Sequence, residues 1–232
     1  MKKQYKHIFF DLDRTLWDFE TNSRETLSEL FKKYKLSEKG IDSFDKFHER
    51  YLAINENLWK HYLRGNVNKE TLRVKRFYDT FKKYGIKNKH LSLAVSDDYI
   101  AMSPRRTSVF PHTHEVLEYL QKKYALHIIT NGFEEVQHIK IDNCKIRNYF
   151  THVITSEKAG AQKPSQKIFQ YSLKLAKAFN HESIMIGDTI ETDMAGAKKV
   201  EMDHVYFNPG KKKHNKSFTY EISSLKELMV FL

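Results

Sequence analysis

The chain has 232 residues, of which 40% are hydrophobic and 13% are aromatic. This apolar content is enough to bury a core, and it excludes an intrinsically disordered protein. The 8 glycines and 4 prolines are too few for an all-β fold with many tight turns, so helices are expected to dominate. The net charge of +11 leaves nucleic acid, an anionic membrane and phosphorylated small molecules open as partners.

Two features of the sequence bear on the compartment. Cys144 is the single cysteine, so an internal disulfide is excluded and a reducing environment is expected. The basic N-terminus is followed by an apolar run of only Ile8–Phe10 before Asp11, which is too short for a signal peptide. Because no run approaches the roughly 18 apolar residues of a spanning helix, we expect a cytoplasmic protein with no membrane partner.

The first predicted element is a short apolar strand, His7–Phe10. It is followed by a long region without proline, which ends at Pro104. Apolar residues recur in this region at helical spacing, in the segments Leu27–Tyr34, Phe44–Leu58, Phe77–Tyr84 and Leu91–Met102. Helix ends are expected at Gly40, Gly65 and Gly85. The pattern predicts an all-helical unit over residues 17–103.

Short apolar runs alternate with helical segments after this unit. The runs are Leu126–Thr130, His152–Thr155, Ser183–Gly187, His204–Phe207 and a final one near Phe218–Ile222. This β-α alternation is typical of a parallel sheet. The sequence therefore predicts an α/β protein with a Rossmann-like parallel sheet core, residues 1–16 and 104–232, and a helical insertion after the first strand.

Polar residues follow four of the predicted strands, at the edge where open parallel sheets bind ligands. They include four carboxylates, one lysine and one small hydroxyl: Asp11, Asp13, Thr130, Lys163, Asp188 and Asp193. Converging carboxylates repel each other unless a cation neutralises them, and their hard oxygens favour Mg²⁺. A lysine and a hydroxyl beside helix starts favour a phosphate. Together these groups indicate phosphoryl transfer, in which an aspartate can attack phosphorus directly.

The four segments resemble, in order, the four motifs of the haloacid dehalogenase (HAD) superfamily. A hydrophobic strand followed by Asp-x-Asp-x-Thr is matched by Ile8–Thr15, and a strand ending in Thr or Ser is matched by Ile128–Gly132. A lysine that opens a helix is matched by Lys163–Pro164, and Gly-Asp-x4-Asp is matched by Gly187–Asp193. The four motifs occur in the family's order at four strand ends, and the resemblance extends over essentially the whole chain.

The resemblance implies a role for each motif residue. Asp11 is implied to be the nucleophile and a metal ligand. Asp13 is implied to protonate the leaving oxygen, to activate water later and to bind Mg²⁺ through its backbone carbonyl. Arg14 stands where the family more often has a small or acidic residue, and its side chain is expected to point away.

The remaining roles concern phosphate and metal. The resemblance implies that Thr130 and the backbone amide of Asn131 hold phosphoryl oxygens. It implies that Lys163 balances the charge between nucleophile and phosphate, with Lys158 as the alternative lysine. Asp188 is implied to complete the metal site, and Asp193 to orient Lys163 or a metal-bound water.

The resemblance also narrows the range of possible activities. Dehalogenase members of the superfamily typically lack the second aspartate, so Asp13 favours a phosphatase. The insertion after the first motif resembles a helical cap, which implies a small-molecule phosphate monoester as substrate and excludes macromolecules. Three strings, Asp11–Phe19, Ile129–Phe133 and Gln162–Pro164, resemble the 5'-nucleotidase branch, including enzymes for noncanonical pyrimidine nucleotides. We therefore expect a Mg²⁺-dependent phosphatase that forms an aspartyl-phosphate intermediate.

Several alternatives stay open. A sugar-phosphate phosphatase or a phosphomutase of the same superfamily has the same motifs. A nucleic-acid-binding protein is a remote alternative, because the positive charge is spread over both parts of the chain, with +4 in residues 17–103 and +7 elsewhere, and no basic stripe is evident. The sequence leaves open the oligomeric state, the specificity residues of the cap and whether Trp17 or Phe19 contacts substrate.

Overall fold

The structure is a computed structural model that describes residues 4–232. Residues 1–3, which belong to the predicted core, lie outside the described residues. The chain forms two compact units, one of residues 4–19 with Thr107–Leu232 and the other of Glu20–Arg106. The sequence places the helical unit at residues 17–103, three residues earlier at each end. Its role as a cap stays a prediction.

The helical unit contains four helices that enclose an aromatic core. They are α1 (Phe19–Lys33), which begins one residue before the unit, α2 (Phe44–Leu63), α3 (Lys69–Lys82) and α4 (Lys89–Met102). The rings of Tyr51, Phe77 and Tyr99 lie 5.1 to 5.8 Å apart between centroids. Gly65 and Gly85 follow α2 and α3 with φ of 74° and 78°, a left-handed conformation that favours glycine at a helix end.

The α/β unit is built on a six-stranded parallel sheet, which confirms the predicted fold class. The strands are β1 (His7–Phe10), β2 (Ala125–Thr130), β3 (Phe150–Thr155), β4 (Ser183–Gly187), β5 (Asp203–Phe207) and β6 (Tyr220–Ile222). Their order in the sheet is β3-β2-β1-β4-β5-β6. The strand order therefore reverses on either side of β1, and such a point forms a crevice at the carboxyl edge of the sheet.

Both faces of the sheet are covered by helices. These are α5 (Thr113–Gln121), α6 (Glu134–Asn143), α7 (Ser156–Ala159), α8 (Gln166–Ala176), α9 (Ala195–Lys199) and α10 (Leu228–Phe231). Ile8 and Phe10 of β1 pack into one apolar cluster, whereas Phe9 packs into a second one. Alternate residues of a strand point to opposite faces, so the central strand is buried on both sides. Among residues 4–232, no helix combines the length and the hydropathy that crossing a membrane requires.

The loop that carries Lys163 differs from the expectation at one point. The sequence predicts that Pro164 opens the next helix, but α8 begins at Gln166. The Ser165 hydroxyl accepts a hydrogen bond from the backbone N–H of Lys167 at 3.3 Å and so caps the helix. The proline therefore lies outside α8, in the loop between α7 and α8.

Gly187, the last residue of β4, is predicted to be required for stability. A Cβ atom added there would lie 2.5 Å from Cγ of Asp193, a separation that van der Waals contacts do not allow. We expect Gly187→Ala to lower the free energy of unfolding by about 1 to 3 kcal/mol, since overpacking forces buried neighbours to move. Urea unfolding followed by circular dichroism measures the change.

Gly210→Ala is the matched control, because the nearest atom to its added Cβ is 3.9 Å away. Its free energy of unfolding is expected to change by no more than about 0.5 kcal/mol. Equal stabilities of the two variants would contradict the close packing of Gly187 against Asp193.

Candidate active site

The predicted site residues of the α/β unit gather at the carboxyl ends of three adjacent strands. Asp11 follows β1, Thr130 ends β2 and Asp188 follows β4. The register pairs Phe10 with Ile128 on one side and with Ile186 on the other, so the three strands end at the same level. Parallel pairing therefore brings Asp11 close to side chains that are more than one hundred residues away in sequence.

Lys163 lies between two of the aspartates. Its Nζ is 2.6 Å from Oδ1 of Asp11 and 2.6 Å from Oδ1 of Asp193, and it donates to the carbonyl of Ile129 at 3.0 Å. Lys163 is 2% exposed. The contacts with Asp11 and Ile129 are hydrogen bonds, whereas the contact with Asp193 is an ion pair. Lys163 is therefore a fixed positive charge inside the site.

Burial alone would lower the pKa of Lys163, but the carboxylates of Asp11 and Asp193 raise it above its usual value. The ammonium form is thus the stable one. Lys158, the alternative from the sequence, is exposed, and its backbone N–H donates to Thr155 Oγ1 at 3.2 Å. Lys163 is therefore the lysine that contacts Asp11.

Three carboxylates share this one ammonium group. Asp11, Asp188 and Asp193 each offer an oxygen within 4.8 Å of the other two. Burial raises the pKa of Asp11 well above its usual value, against the opposing charge of Lys163. Burial and the neighbouring Asp193 raise the pKa of Asp188 to about 7. The neighbouring carboxylates add to both shifts, and a divalent cation with hard oxygen ligands fits this cluster.

The predicted metal ligands are Asp11, Asp13 and Asp188. The structure places Asp11 and Asp188 together, with Asp193 as the third carboxylate of the cluster. The side chain of Asp13 contacts other partners: its Oδ1 is 2.5 Å from Nζ of Lys140, and its Oδ2 accepts from Nε2 of Gln137 at 2.7 Å.

Thr130 presents its hydroxyl at the end of β2. Its Oγ1 accepts hydrogen bonds from the backbone N–H of Gly132 at 3.1 Å and from Nε2 of Gln137 at 2.7 Å. A hydroxyl has two acceptor positions and one donor, so these bonds leave the O–H to donate. Such a donor fits a phosphoryl oxygen.

Asn131 has a contact that its motif did not reveal. Its side-chain Nδ2 donates to the carbonyl of Lys163 at 3.0 Å, and its Oδ1 accepts from the backbone N–H of Lys163 at 2.7 Å. This pair of hydrogen bonds fixes the loop that carries the lysine. The side chain of Asn131 therefore positions Lys163, whatever its backbone amide binds.

The residues after Asp13 form a tight turn. Arg14 has a φ of 64°, and its guanidinium carbon lies 4.2 Å from the centroid of the Phe19 ring. Its positive charge partly opposes the rise in the pKa of Asp188. Trp17 is completely buried in the core of the α/β unit.

Gln137 and Lys140 are the site residues that the sequence did not predict. Both lie on α6, the helix after the second motif, and both are buried. Their spacing of three residues places them on one face of the helix. The spacing of these two polar residues on one helix face is visible in the sequence, but nothing in the sequence connects the pair to Asp13.

Comparisons with known proteins agree with this arrangement. A family model described as haloacid dehalogenase-like hydrolase matches residues 8–207. Pyrimidine 5'-nucleotidase YjjG of Escherichia coli is 29% identical over 95% of each chain. Pyrimidine 5'-nucleotidase PynA of Streptococcus pneumoniae is 27% identical over 97% of this chain and 94% of its own.

A solved structure has a similar fold. The crystal structure of the HAD-hydrolase YfnB of Bacillus subtilis, bound to magnesium, matches with a TM-score of 0.89 and 25% identity over 98% of each chain. The family model spans most of this chain, and the two nucleotidases align over nearly all of it. The chain therefore belongs to the haloacid dehalogenase-like hydrolase family and is a phosphatase of that family.

Proposed function

We propose that the protein is a Mg²⁺-dependent phosphomonoesterase that hydrolyses a nucleoside 5'-monophosphate through an aspartyl-phosphate on Asp11. The observation that carries this proposal is the contact of 2.6 Å between Asp11 and the buried Lys163. It places a nucleophilic carboxylate beside a fixed positive charge, at a sheet edge where Thr130 has a hydroxyl left to donate. A cytoplasmic location, expected from the single cysteine, stays a prediction.

The first half of the reaction uses the second oxygen of Asp11. Oδ1 is held by Lys163, and within residues 4–232 Oδ2 accepts no hydrogen bond. We infer that Oδ2 attacks phosphorus while the bond from phosphorus to the leaving oxygen breaks. The leaving oxygen takes the electron pair of that bond and a proton from the carboxyl group of Asp13.

The second half returns the enzyme to its starting state. The carboxylate of Asp13 takes a proton from water, the water oxygen attacks phosphorus, and the bond between phosphorus and Asp11 breaks. The products are inorganic phosphate and the free Asp11 carboxylate. Throughout, the ammonium of Lys163, the hydroxyl of Thr130 and the backbone N–H of Asn131 stabilise the negative charge of the phosphoryl oxygens.

The carboxylate cluster would hold the cation. Asp11 and Asp188 are the proposed side-chain ligands, the backbone carbonyl of Asp13 is the proposed third ligand, and Asp193 orients Lys163. When bound, Mg²⁺ neutralises charge on the carboxylates and on the phosphoryl group. The excess of three carboxylates over one ammonium supports this proposal.

The substrate class is inferred from relatives of the same length. Two of them are named as pyrimidine 5'-nucleotidases and align over at least 94% of their own chains at 27% to 29% identity. The helical unit, which follows the first motif directly, is proposed to be the cap that selects the leaving group. A pyrimidine nucleoside 5'-monophosphate is therefore the substrate that these relationships favour.

A phosphate-release panel tests the substrate class. We expect kcat/KM for pyrimidine nucleoside monophosphates to exceed that for hexose phosphates by about 10-fold or more, the discrimination that a few pocket contacts supply. Preference for a hexose phosphate over every nucleotide would overturn the nucleotidase proposal. Formation of an isomeric hexose phosphate without phosphate release would identify a phosphomutase.

Metal binding is predicted to stabilise the protein through Asp188. Mg²⁺ is expected to raise the melting temperature of the wild type by a few degrees, because a ligand of the folded state stabilises it by mass action. The variant Asp188→Asn is expected to lose this response and to be at least as stable as the wild type in metal-free buffer, since it relieves carboxylate repulsion. Thermal unfolding with and without Mg²⁺ measures both effects.

Asp97→Asn, which removes an exposed carboxylate, is the control and is expected to respond to Mg²⁺ as the wild type does. Full turnover in excess EDTA, or an unchanged Mg²⁺ response in Asp188→Asn, would contradict the proposed metal site.

A further inference from the structure

The carboxyl group of Asp13 is held through both of its oxygens. Lys140 Nζ is 2.5 Å from Oδ1, and Gln137 Nε2 donates to Oδ2 at 2.7 Å. Each carboxylate oxygen has two lone pairs, so one on each oxygen is left to carry or accept a proton. The two contacts therefore fix the orientation of the group without blocking proton transfer.

Lys140 is buried, which is rare for a lysine. It is 6% exposed, and its Nζ lies 4.1 Å from the ring centroid of the fully buried Trp17. A cation over an indole face is stabilised by the ring quadrupole. The ammonium is thus placed between the indole ring and the carboxylate of Asp13, where it has little freedom to move away.

Gln137 connects Asp13 to the phosphate end of the site. The same Nε2 that donates to Asp13 also donates to Oγ1 of Thr130 at 2.7 Å. A Cβ at Gly132 would lie 2.9 Å from Cγ of Gln137, so the second motif needs glycine here for the side chain to approach. This bridge sets the distance between the group that transfers the proton and the hydroxyl offered to the phosphoryl group.

The side-chain oxygen of Gln137 lies in a position that favours a functional role for this residue. Its Oε1 is buried and has no hydrogen-bond partner among residues 4–232. A buried acceptor without a partner is unfavourable for the fold, and such groups call for an explanation beyond packing. A bridge whose sole task was to attach α6 to the loop of Asp13 would not need this arrangement.

We propose that Gln137 and Lys140 are positioning residues that orient the carboxyl group of Asp13 toward the leaving oxygen. The inference rests on the proposed function, because it assigns to Asp13 the proton transfer described above. Both side chains contact the carboxyl group of Asp13 directly, so they are proposed to act through it. Their effect is therefore expected in the step that depends on the proton of Asp13.

The dependence of kcat/KM on the leaving group distinguishes a positioning role from a purely structural one. A nucleoside monophosphate releases an alkoxide oxygen that needs a proton, whereas p-nitrophenyl phosphate releases a phenolate that leaves without one. Because kcat/KM covers events up to the first irreversible step, it reports the departure of the leaving group for both substrates. A misplaced Asp13 is expected to slow the reaction of the nucleoside monophosphate alone. A damaged site is expected to slow the reactions of both substrates.

The experiment compares Lys140→Met, Gln137→Leu and Asp13→Asn with the wild type on both substrates. We expect kcat/KM for the nucleoside monophosphate to fall by about 100-fold in each variant, the contribution of a positioned general acid. The fall for p-nitrophenyl phosphate is expected to be at least about 10-fold smaller. Adding Lys140→Met to Asp13→Asn is expected to cause little further loss, since both changes remove the same function.

Two further variants complete the design. Lys140→Arg keeps the charge and is expected to be more active than Lys140→Met on the nucleoside monophosphate. If Lys140→Met does not fold, Lys140→Arg still tests the role of the charge. Lys158→Met, which removes an exposed lysine, is the matched control and is expected to behave as the wild type. Circular dichroism of each variant establishes that it is folded.

Equal losses on the two substrates, or no loss on either, would overturn the positioning role. Additive losses in the double variant would overturn it as well. Failure of the proposed function is a separate outcome, visible as a wild type that releases phosphate from no nucleoside monophosphate. If the wild type then hydrolyses another alkyl phosphate, the same comparison is run with that substrate.

Discussion

The site depends on one buried ion pair. Lys163 is almost completely buried between Asp11 and Asp193, and a buried charge is tolerated only where partners compensate for its lost hydration. The fold supplies these partners from different segments. Asp11 follows β1, and Asp193 lies in the short helical segment Ile190–Met194 after β4. Asn131 fixes the lysine loop through two hydrogen bonds. Gly187, without a side chain, leaves the space that Asp193 fills. Removing either aspartate leaves the buried charge of Lys163 with one partner fewer, and a side chain at position 187 would clash with Asp193.

The ion pair does not balance the charges of the site, and this imbalance is what gives the site its chemistry. Three carboxylates face one ammonium, and burial together with the neighbouring carboxylates raises the pKa values of Asp11 and Asp188. Repulsion of this kind lowers the stability of the protein, as is common where binding or catalysis requires an unfavourable arrangement. A bound divalent cation would offset this excess of negative charge. The same groups that destabilise the empty fold thus favour the binding of a cation.

The sequence predicted the parts of this arrangement that are local. β1 and β4 have the predicted bounds, because an apolar run closed by an aspartate or a glycine is readable in one segment. Contacts between distant segments were not predictable. Asp13 and Lys140 are 127 residues apart and Asp13 and Gln137 are 124 apart, and neither pairing has a signal in the spacing of either segment. The side-chain contact of Asn131 with Lys163 was missed for the same reason.

The central claim is that Asp11 becomes phosphorylated, and chemical trapping tests it most directly. Asp13→Asn mixed with p-nitrophenyl phosphate should accumulate the acyl phosphate, since this substrate needs no proton to react and the variant lacks the group that activates water. Borohydride reduction followed by peptide mass spectrometry then locates the modified residue. The account predicts a substrate-dependent reduction at Asp11 and none when Asp11→Asn is added to the variant. Reduction at a different aspartate would contradict it.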